Sequence, residues 1–454
     1  MEHIKRNSLF KQEVDLLNGP IFQSLVIFAI PLLISNIFQQ VYNTADTMIV
    51  GHYLKETSLA AIGSCTSIYD LLVGFALGIG NGLAIVTARS FGSKDETLLK
   101  KSVASSIVIG IIVSIVVTII GSLILYPLLE LLNTPTEIIQ EAYSYISMIT
   151  LFIIVMFAYN LCAGLMRAIG NSIMPLVFLI VSSILNIGLD ILLITQFNMG
   201  VMGTAVATVI SQGISVVLCI IYILKRTPIL IPQKEHFAFD RALYKELLGQ
   251  GFSMGFMSSI VSAGSVILQY GINGLGTLTI AGHTAARKLY MFFNMPFSAM
   301  ALAVSTFVSQ NKGANQPKRI RQALRYSYIY DVIVAAIVTV ILLLSARSLV
   351  QLVSGSQEAI VLNNGSLYLM IVGPFYAILG ILMQTRFALQ GLGQKMLPLF
   401  SSVIEFVGKV IFVLVFIPQF QYMAVIFCEP VIWCVMTLQL VYSFYTNDFI
   451  KNAK

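Results

Sequence analysis

The sequence SSILNIGLDILLI, residues 182–194, reads as the middle of an apolar helix, yet it holds Asn186 and Asp190. It lies in a run, 172–196, that has no other charge and is long enough to cross the hydrocarbon core of a bilayer. On the lenient insertion scale, an ionised Asp at the centre of such a helix costs about 2.5–3.5 kcal/mol. The stretch therefore indicates a membrane-spanning fold, and its carboxylate requires a partner or a function.

The composition of the whole chain agrees with a membrane protein. Of its 454 residues, 57% are hydrophobic and 10% are charged, and the mean hydropathy is +0.88. A soluble protein has about 25% charged residues, so little soluble mass is expected. The N-terminus is polar and charged, which is unlike a cleavable signal peptide. The five cysteines lie in apolar runs without a CxxC pair, so neither a metal site nor a disulfide framework is indicated.

The apolar runs predict an all-α, polytopic membrane protein with twelve transmembrane helices. Each run approaches or exceeds the ~20 residues that a helix needs to span the hydrocarbon core. The predicted spans are 22–50, 58–88, 102–131, 139–162, 172–196, 203–224, 243–273, 279–309, 326–350, 360–385, 396–418 and 422–445.

The positions of the basic residues predict the orientation. Alternate loops and both termini hold 22 of the 27 Lys and Arg residues, including Arg386 beside the tenth span, whereas the opposite loops hold only Lys55 and Arg347. This asymmetry predicts that both termini lie in the cytoplasm. The protein is then a multi-pass protein of the inner (cytoplasmic) cell membrane. The net charge of +7 is then an orientation signal, and no nucleic-acid partner is expected.

The two halves of the chain resemble each other. RAIGNSIMPL at 167–176 pairs with QGLGQKMLPL at 390–399, an offset of 223 residues. Two earlier pairs, at Gly63 with Gly282 and at Gly92 with Gly313, have offsets of 219 and 221. Each half holds six spans, so we expect two six-helix bundles related by a pseudo-twofold axis along the membrane normal. The predicted domains are an N-terminal lobe at 1–225, a cytoplasmic linker at 226–242 and a C-terminal lobe at 243–454.

Two like bundles suit a transporter that works by alternating access. A channel would need a selectivity-filter motif or a ring of charged residues, and the sequence shows neither. A membrane enzyme would need a nucleophile with its base or a metal site, and the sequence shows neither pattern. The histidines are His3, His52, His236 and His283, and only His283 lies in a span. We therefore predict a transporter that is not an enzyme.

Four stretches, taken in order, carry a family resemblance. Their positions along the chain match motifs of the first, fifth, sixth and eighth helices of the multidrug and toxic compound extrusion (MATE) family. The stretches are YNTADTMIVG at 42–51, NIGLDILLI at 186–194, MGTAVATVISQ at 202–212 and FVSQNKGA at 307–314. The likeness reaches both halves, so the chain resembles a MATE transporter over nearly its whole length.

The resemblance implies two bundles around a central cavity and ion-driven export of amphipathic, often cationic compounds. In some members an N-terminal carboxylate cluster takes up the coupling ion, and Asp46, Asn186, Asp190 and Thr208 stand at the matching positions. Another branch places its acids in the seventh and tenth helices. The core of the seventh span here, 251–274, and that of the tenth, 366–385, contain no Asp or Glu, so the first branch is the better match.

Depth supports this cluster independently of the family. Asp46, Asp190 and Thr208 each lie five or six residues from the outer end of their span, which is about 8–9 Å at 1.5 Å per residue. Asn186 lies one turn deeper, on the face of Asp190. Two carboxylates, an amide and a hydroxyl can hold a proton or a hard cation such as Na⁺. The alternatives are that Asp46 anchors a helix end and that Asn186 and Asp190 form a structural hydrogen-bond pair.

The second half offers further charged and aromatic candidates that the family motifs do not cover. Glu405 and Lys409 stand four residues apart and are expected to pair. Flexible Met and aromatic side chains suit a site that accepts many shapes. A structural charge network and a substrate or gating role both explain these residues. The candidates for substrate binding or gating are Asp70, Arg287, Tyr290, Met291, Glu405, Lys409 and Glu429.

The predicted function is secondary active export of amphipathic or cationic organic compounds in exchange for protons or sodium ions. The expected partners are these small molecules and the lipid bilayer, and the expected state is a monomer. No cofactor is expected apart from the coupling ion, and no metal apart from sodium at Asp46, Asn186 and Asp190. One alternative is a lipid-linked oligosaccharide flippase of the same superfamily. Such a flippase tends to hold the diphosphate of its substrate with several cationic residues, and here only Arg287, Lys288 and Lys409 lie within spans. The other is a membrane scaffold, which leaves the buried acids unexplained.

Overall fold

The computed structural model describes residues 13–132 and 134–451, with Glu56 described by its backbone alone. The basic residues Lys5, Arg6, Lys11 and Lys454, which contribute to the predicted orientation, lie outside these ranges. Every regular element in the described ranges is helical, which confirms the predicted all-α class.

The α-helices follow the predicted spans closely. Their bounds are α1 Ile21–Tyr53, α2 Glu56–Gly92, α3 Glu96–Leu131, α4 Ile139–Leu151, α5 Ile153–Ala168, α6 Ile173–Thr195, α7 Val201–Arg226, α8 Arg241–Asn273, α9 Thr277–Gly313, α10 Pro317–Ser354, α11 Ala359–Val372, α12 Tyr376–Gly391, α13 Met396–Ile411, α14 Ile417–Phe420, α15 Tyr422–Tyr445 and α16 Asp448–Lys451.

Twelve spans account for these helices. Eleven stretches in the described ranges are long and apolar enough to cross a membrane, and α4 with α5 forms a twelfth that bends by 48° at Phe152. A short 3₁₀ turn joins α11 to α12, and a π-helical turn at 412–416 joins α13 to α14, so each of these pairs makes one span. The prediction of twelve transmembrane helices is confirmed.

Helix α3 shows how its sequence fits a membrane. Four serines, Ser102, Ser105, Ser106 and Ser114, are buried against neighbouring helices. Small residues of this kind let helix backbones approach closely. Many large apolar side chains of the same helix, among them Ile112 and Ile119, are exposed. A contiguous apolar face of this extent fits contact with lipid rather than water.

The repeat that the sequence predicts is visible in the local backbone. Gly170 follows α5 with φ +94°, and Gly393 follows α12 with φ +85°. The hydrogen bonds of the two turns correspond: Gly170 N–H donates to Arg167 O at 2.9 Å, and Gly393 N–H donates to Gln390 O at 2.8 Å. Both turns need the left-handed conformation that glycine adopts without steric cost.

The chain divides into two compact units, one ending at Gly255 and the other beginning at Phe256. The polar segment between α7 and α8 forms two short 3₁₀ turns, Pro228–Leu230 and Lys234–Phe237, which pack on α3. Leu230 and His236 are buried there. The segment is therefore folded along most of its length.

Candidate functional site

Three helices of the first unit bring the four predicted coupling residues together. Helix α6 packs against both α1 and α7. Its Asn186 and Asp190 are fully buried, one helical turn apart, as their spacing predicts. Asp46 reaches them from α1, and Thr208 reaches them from α7. The predicted residues thus form one polar cluster inside the apolar bundle.

The amide of Asn186 is the centre of this cluster. In the orientation that satisfies both of its ends, Nδ2 donates to Asp46 Oδ1 at 2.8 Å and to Asp190 Oδ2 at 3.2 Å. Its oxygen accepts from the backbone N–H of Thr208 at 3.2 Å. One amide therefore ties both carboxyl groups to α7.

The two carboxyl groups are also direct neighbours. The side chains of Asp46 and Asp190 lie within hydrogen-bond reach of each other. The second oxygen of Asp190, Oδ1, is buried and has no hydrogen-bond partner in the described part of the chain. Two carboxylates at this distance cannot both ionise at low cost, so the pair requires a shared proton or a cation. The arrangement is chemically suited to taking up and releasing one positive charge.

Tyrosines that were not among the predicted site residues surround the acid pair. The Tyr42 hydroxyl lies 3.3 Å from Thr208 Oγ1 and also within hydrogen-bond reach of Asp46. Tyr69 of α2 and Tyr145 of α4 lie near Asp46 as well. The four-residue spacing of Tyr42 and Asp46 was a usable signal, because such residues share a helix face.

Asp70, a further candidate in the first unit, does not join this cluster. Its side chain is exposed on α2. Within the described ranges it makes no hydrogen bond or ion pair. No hydrogen bond or ion pair of the described residues therefore links Asp70 to the acid pair, although Tyr69 lies near both Asp70 and Asp46.

The second unit contains a separate charge network centred on Glu429 of α15. Arg287 of α9 donates from Nη1 to Glu429 Oε2 at 2.6 Å. The Tyr368 hydroxyl donates to the same oxygen at 3.1 Å. Lys409 Nζ lies 3.8 Å from Glu429 Oε1. Two basic groups and a phenol thus surround one buried carboxylate.

Lys409 extends the network to α13 and α12. Its Nζ lies 2.9 Å from Glu405 Oε1, which confirms the predicted pair at four-residue spacing. Arg386 Nη2 lies 3.7 Å from Glu405 Oε2, and Arg386 Nε donates to Ser401 Oγ at 3.0 Å.

The prediction that Arg386 belongs to a cytoplasmic loop is wrong: it lies inside α12, 8% exposed. There the Glu405 carboxylate balances its charge and the Ser401 hydroxyl accepts a hydrogen bond from it.

Aromatic rings cover one side of Arg287. Its guanidinium carbon lies 4.4 Å from the ring centroid of Tyr290, a favourable cation–π distance. Tyr290 in turn stacks with Tyr376 at 5.9 Å and with Trp433 at 6.1 Å between centroids. Met291 points away from this group and is 55% exposed. Of the two, only Tyr290 joins the charge network.

Comparison with known families accounts for both halves of the chain. A family model described as MatE matches residues 31–192 and again residues 254–415. The second match begins 223 residues after the first, which is the offset of the repeat at Gly170 and Gly393. The two matches together cover most of the chain.

Individual relatives are similar over most of their length. The chain is 26% identical over 435 residues to the probable multidrug resistance protein YoeA of Bacillus subtilis strain 168, covering 94% of this chain and 93% of YoeA. It is 25% identical over 380 residues to the probable multidrug resistance protein YpnP of the same strain, covering 83% of each. Its fold matches a multidrug resistance MATE family transporter of the MOP superfamily in an outward-facing conformation. That match has a TM-score of 0.88 at 21% identity and covers 95% of this chain and 97% of that one.

Proposed function

Because the chain belongs to the MATE family of membrane transporters, we propose that it exports amphipathic organic cations in exchange for protons bound between Asp46 and Asp190. The family is one of transporters, which confirms the prediction that the chain is not an enzyme. The multidrug resistance names of YoeA and YpnP support the proposed substrate class. The basic-residue asymmetry supports a location in the cytoplasmic membrane with both termini inside. We propose that the protein acts there as a monomer.

The direct contact between Asp46 and Asp190 carries the choice of a proton, because two carboxyl groups within hydrogen-bond reach of each other are satisfied by one shared proton. In the amide orientation that satisfies both ends of Asn186 without a bound cation, its nitrogen donates to both carboxyl groups. Sodium would instead require the amide oxygen on that side, because hard cations bind carboxylate, carbonyl and hydroxyl oxygens. A proton shared by Asp46 and Asp190 leaves every donor of the cluster facing an acceptor. The arrangement therefore favours a proton as the coupling ion.

Each residue of the cluster has a distinct role in this proposal. Asp46 and Asp190 hold the exchanged proton. Asn186 holds the two carboxyl groups at a fixed distance, and Thr208 holds Asn186 through its backbone N–H. Losing the proton leaves two adjacent negative charges in a buried site, which favours a rearrangement of α1 against α6. This link between charge and helix packing is what an exchanger needs.

The direct test uses purified protein in lipid vesicles loaded with a fluorescent cation. Efflux is measured under an imposed pH gradient and, separately, under an imposed sodium gradient. We expect the pH gradient to drive efflux and the sodium gradient to have no effect of its own. Efflux that responds to the sodium gradient and not to the pH gradient would show that the coupling ion is sodium and would contradict the proposal.

Cells that express the protein are expected to tolerate lipophilic cations such as ethidium better than cells with an empty vector. The physical reason is that exporting a membrane-permeant cation lowers its steady concentration in the cytoplasm. Growth at increasing ethidium concentrations measures the effect. If tolerance is unchanged and only the translocation of a lipid-linked sugar responds to expression, the flippase alternative is the correct one.

The polar segment between α7 and α8 is expected to be cut by trypsin from the cytoplasmic side only. Lys225, Arg226, Lys234 and Arg241 are all exposed there, so the protease has accessible sites. Inverted vesicles should yield two large fragments, and intact right-side-out cells should yield none. Cleavage in intact cells would show that the proposed orientation is reversed.

A further inference from the structure

A second buried acid lies in the other half of the chain, at Asp331 of α10. Its side chain is fully buried. Oδ1 accepts a hydrogen bond from Gln384 Nε2 of α12 at 3.1 Å, and Oδ2 has no partner within the described ranges. No basic side chain of the described residues forms an ion pair with it. Asp331 therefore differs from Glu405 and Glu429, whose charges are balanced by Arg and Lys.

The groups that face Asp331 are nearly all neutral. On its own helix, the titratable neighbours are Tyr328 and Tyr330. From α12 come Gln384 and Thr385, and the Tyr328 hydroxyl lies 2.6 Å from Thr385 Oγ1. No positive charge therefore approaches the carboxyl group from α10 itself or from these positions of α12.

Backbone and aromatic groups close the remaining sides. From α9 comes Phe297, whose carbonyl oxygen accepts from Gln384 Nε2 at 3.3 Å. A Cβ atom built on Gly380 would lie 2.7 Å from Asp331 Cβ, so α12 packs tightly against the acid. Arg386 of α12 is directed to Ser401 and Glu405 instead. Asp331 thus sits in a tight pocket that does not stabilise a negative charge.

An ionised carboxylate in this pocket would be very unfavourable. Burying an unpaired charge costs far more than one hydrogen bond from an amide returns. The neutral acid fits better, because its O–H supplies a donor. The buried Gln384 Oε1 also lacks a partner among the described residues, and a donor is what it needs. Two amide N–H groups and the acid O–H then serve three acceptors, which are Asp331 Oδ1, the Phe297 carbonyl oxygen and Gln384 Oε1.

We propose that Asp331 is a proton-binding site of the C-terminal half, separate from the Asp46–Asp190 pair, and that its proton closes a clasp with Gln384. In the closed clasp, Gln384 Nε2–H donates to Oδ1 and the acid O–H on Oδ2 donates to Gln384 Oε1. Opening transfers the proton to water and leaves a carboxylate that must be hydrated. The clasp is therefore closed when protonated and open when deprotonated.

The clasp contacts α9 next to a break in the backbone hydrogen bonds of that helix. Pro296 lies inside α9 and has no N–H for the helical hydrogen-bond ladder, so the helix can bend there. Gln384 is bonded to the next residue, Phe297. The Phe297 ring stacks on Tyr376 at 5.9 Å between centroids, and Tyr376 stacks on Tyr290 beside Arg287. The protonation of Asp331 thus controls how firmly the bend of α9 is held.

Infrared spectroscopy of the full-length protein in lipid tests the site without relying on transport. Spectra are recorded in the Asp46→Asn, Asp190→Asn background, so that neither carboxyl group of that pair contributes. We expect a protonated-carboxyl C=O band at neutral pH that is lost on adding Asp331→Asn. We expect the band to move to higher frequency on adding Gln384→Leu and to stay unchanged with Glu130→Gln, an exposed acid on α3. A band that survives Asp331→Asn, or no band at all, would overturn the proposal.

Transport by the single variant Asp331→Asn tests whether the proton is exchanged. An amide preserves the shape and a neutral pair with Gln384, so the melting temperature should stay at the wild-type value. Efflux driven by a pH gradient should fall to the level of empty vesicles, while Glu130→Gln should match wild type. Wild-type efflux with normal pH dependence in Asp331→Asn would show that the buried acid is only structural. If Asp331→Asn fails to fold, the Gln384→Leu band shift still decides whether the acid pairs with that amide.

Discussion

Replacing Asp190 by asparagine is expected to abolish export driven by a pH gradient while leaving a folded, inserted protein. The amide has the shape of the acid but cannot exchange a proton. Folding should be preserved or slightly improved, because the cost of burying a carboxylate is gone. Efflux of a fluorescent cation from vesicles measures the loss, and the melting temperature measures the fold. Glu130→Gln, an exposed acid-to-amide change on α3, serves as the matched control and should transport normally.

The partner variant separates a working pair from two independent acids. Asp46→Asn should lose gradient-driven export as Asp190→Asn does. Combining both changes should add little, because residues that act as one unit are not additive. Substrate binding, measured by fluorescence polarisation, should survive in all three. If both single variants keep full efflux with normal gradient dependence, the coupling site lies elsewhere, and Asp331 is the next residue to change, followed by Glu405, Glu429 and Asp70.

Replacing Glu429 by glutamine is expected to destabilise the protein strongly. The change leaves the Arg287 guanidinium without its carboxylate, and Glu405 remains as the partner of Lys409 and Arg386 only. Removing one partner of a buried ion pair typically costs about 3–5 kcal/mol. The melting temperature and the yield of folded protein should both fall. Glu358→Gln, an exposed acid before α11, should have no such effect, and a Glu429→Gln variant as stable as wild type would contradict the expectation.

A double variant distinguishes the two roles that the sequence left open for this network. Arg287→Met combined with Glu429→Gln removes a positive and a negative charge together, so much of the lost stability should return. If the double variant folds and exports normally, the network is structural. If it folds and fails to export, the network binds substrate or gates its path.

The fold was predictable because a bilayer imposes simple rules on length and polarity. Each apolar run that exceeded ~20 residues became a span, and the even number in each half followed from counting. The bend at Phe152 was not predictable, because no proline or glycine marks it in the sequence. The repeat was detectable because its turns depend on glycine, which few other residues can replace.

The buried acids were predictable from the sequence and their partners on other helices were not, for a physical reason. Asp46 and Asp190 were found because a carboxylate inside an apolar run is costly, and that cost is visible in sequence. The same rule applied to Asp331, five residues inside the predicted span 326–350, and it would have identified that acid. Partners across helices are different: nothing in the sequence pairs Arg386 with Glu405 or Tyr368 with Glu429, because those contacts depend on how the helices pack.

The turns at Gly170 and Gly393 have a consequence for how the two halves diverged. Counting from them at the same offset of 223, the position of Asn186 on α6 corresponds to Lys409 on α13. At this position the first half has an amide between two acids, and the second half has a lysine paired with two glutamates. The two halves thus share backbone geometry at the helix ends and differ in the chemistry between them. Matching turns fix the shape of each half, which leaves the side chains in the middle of the helices free to differ.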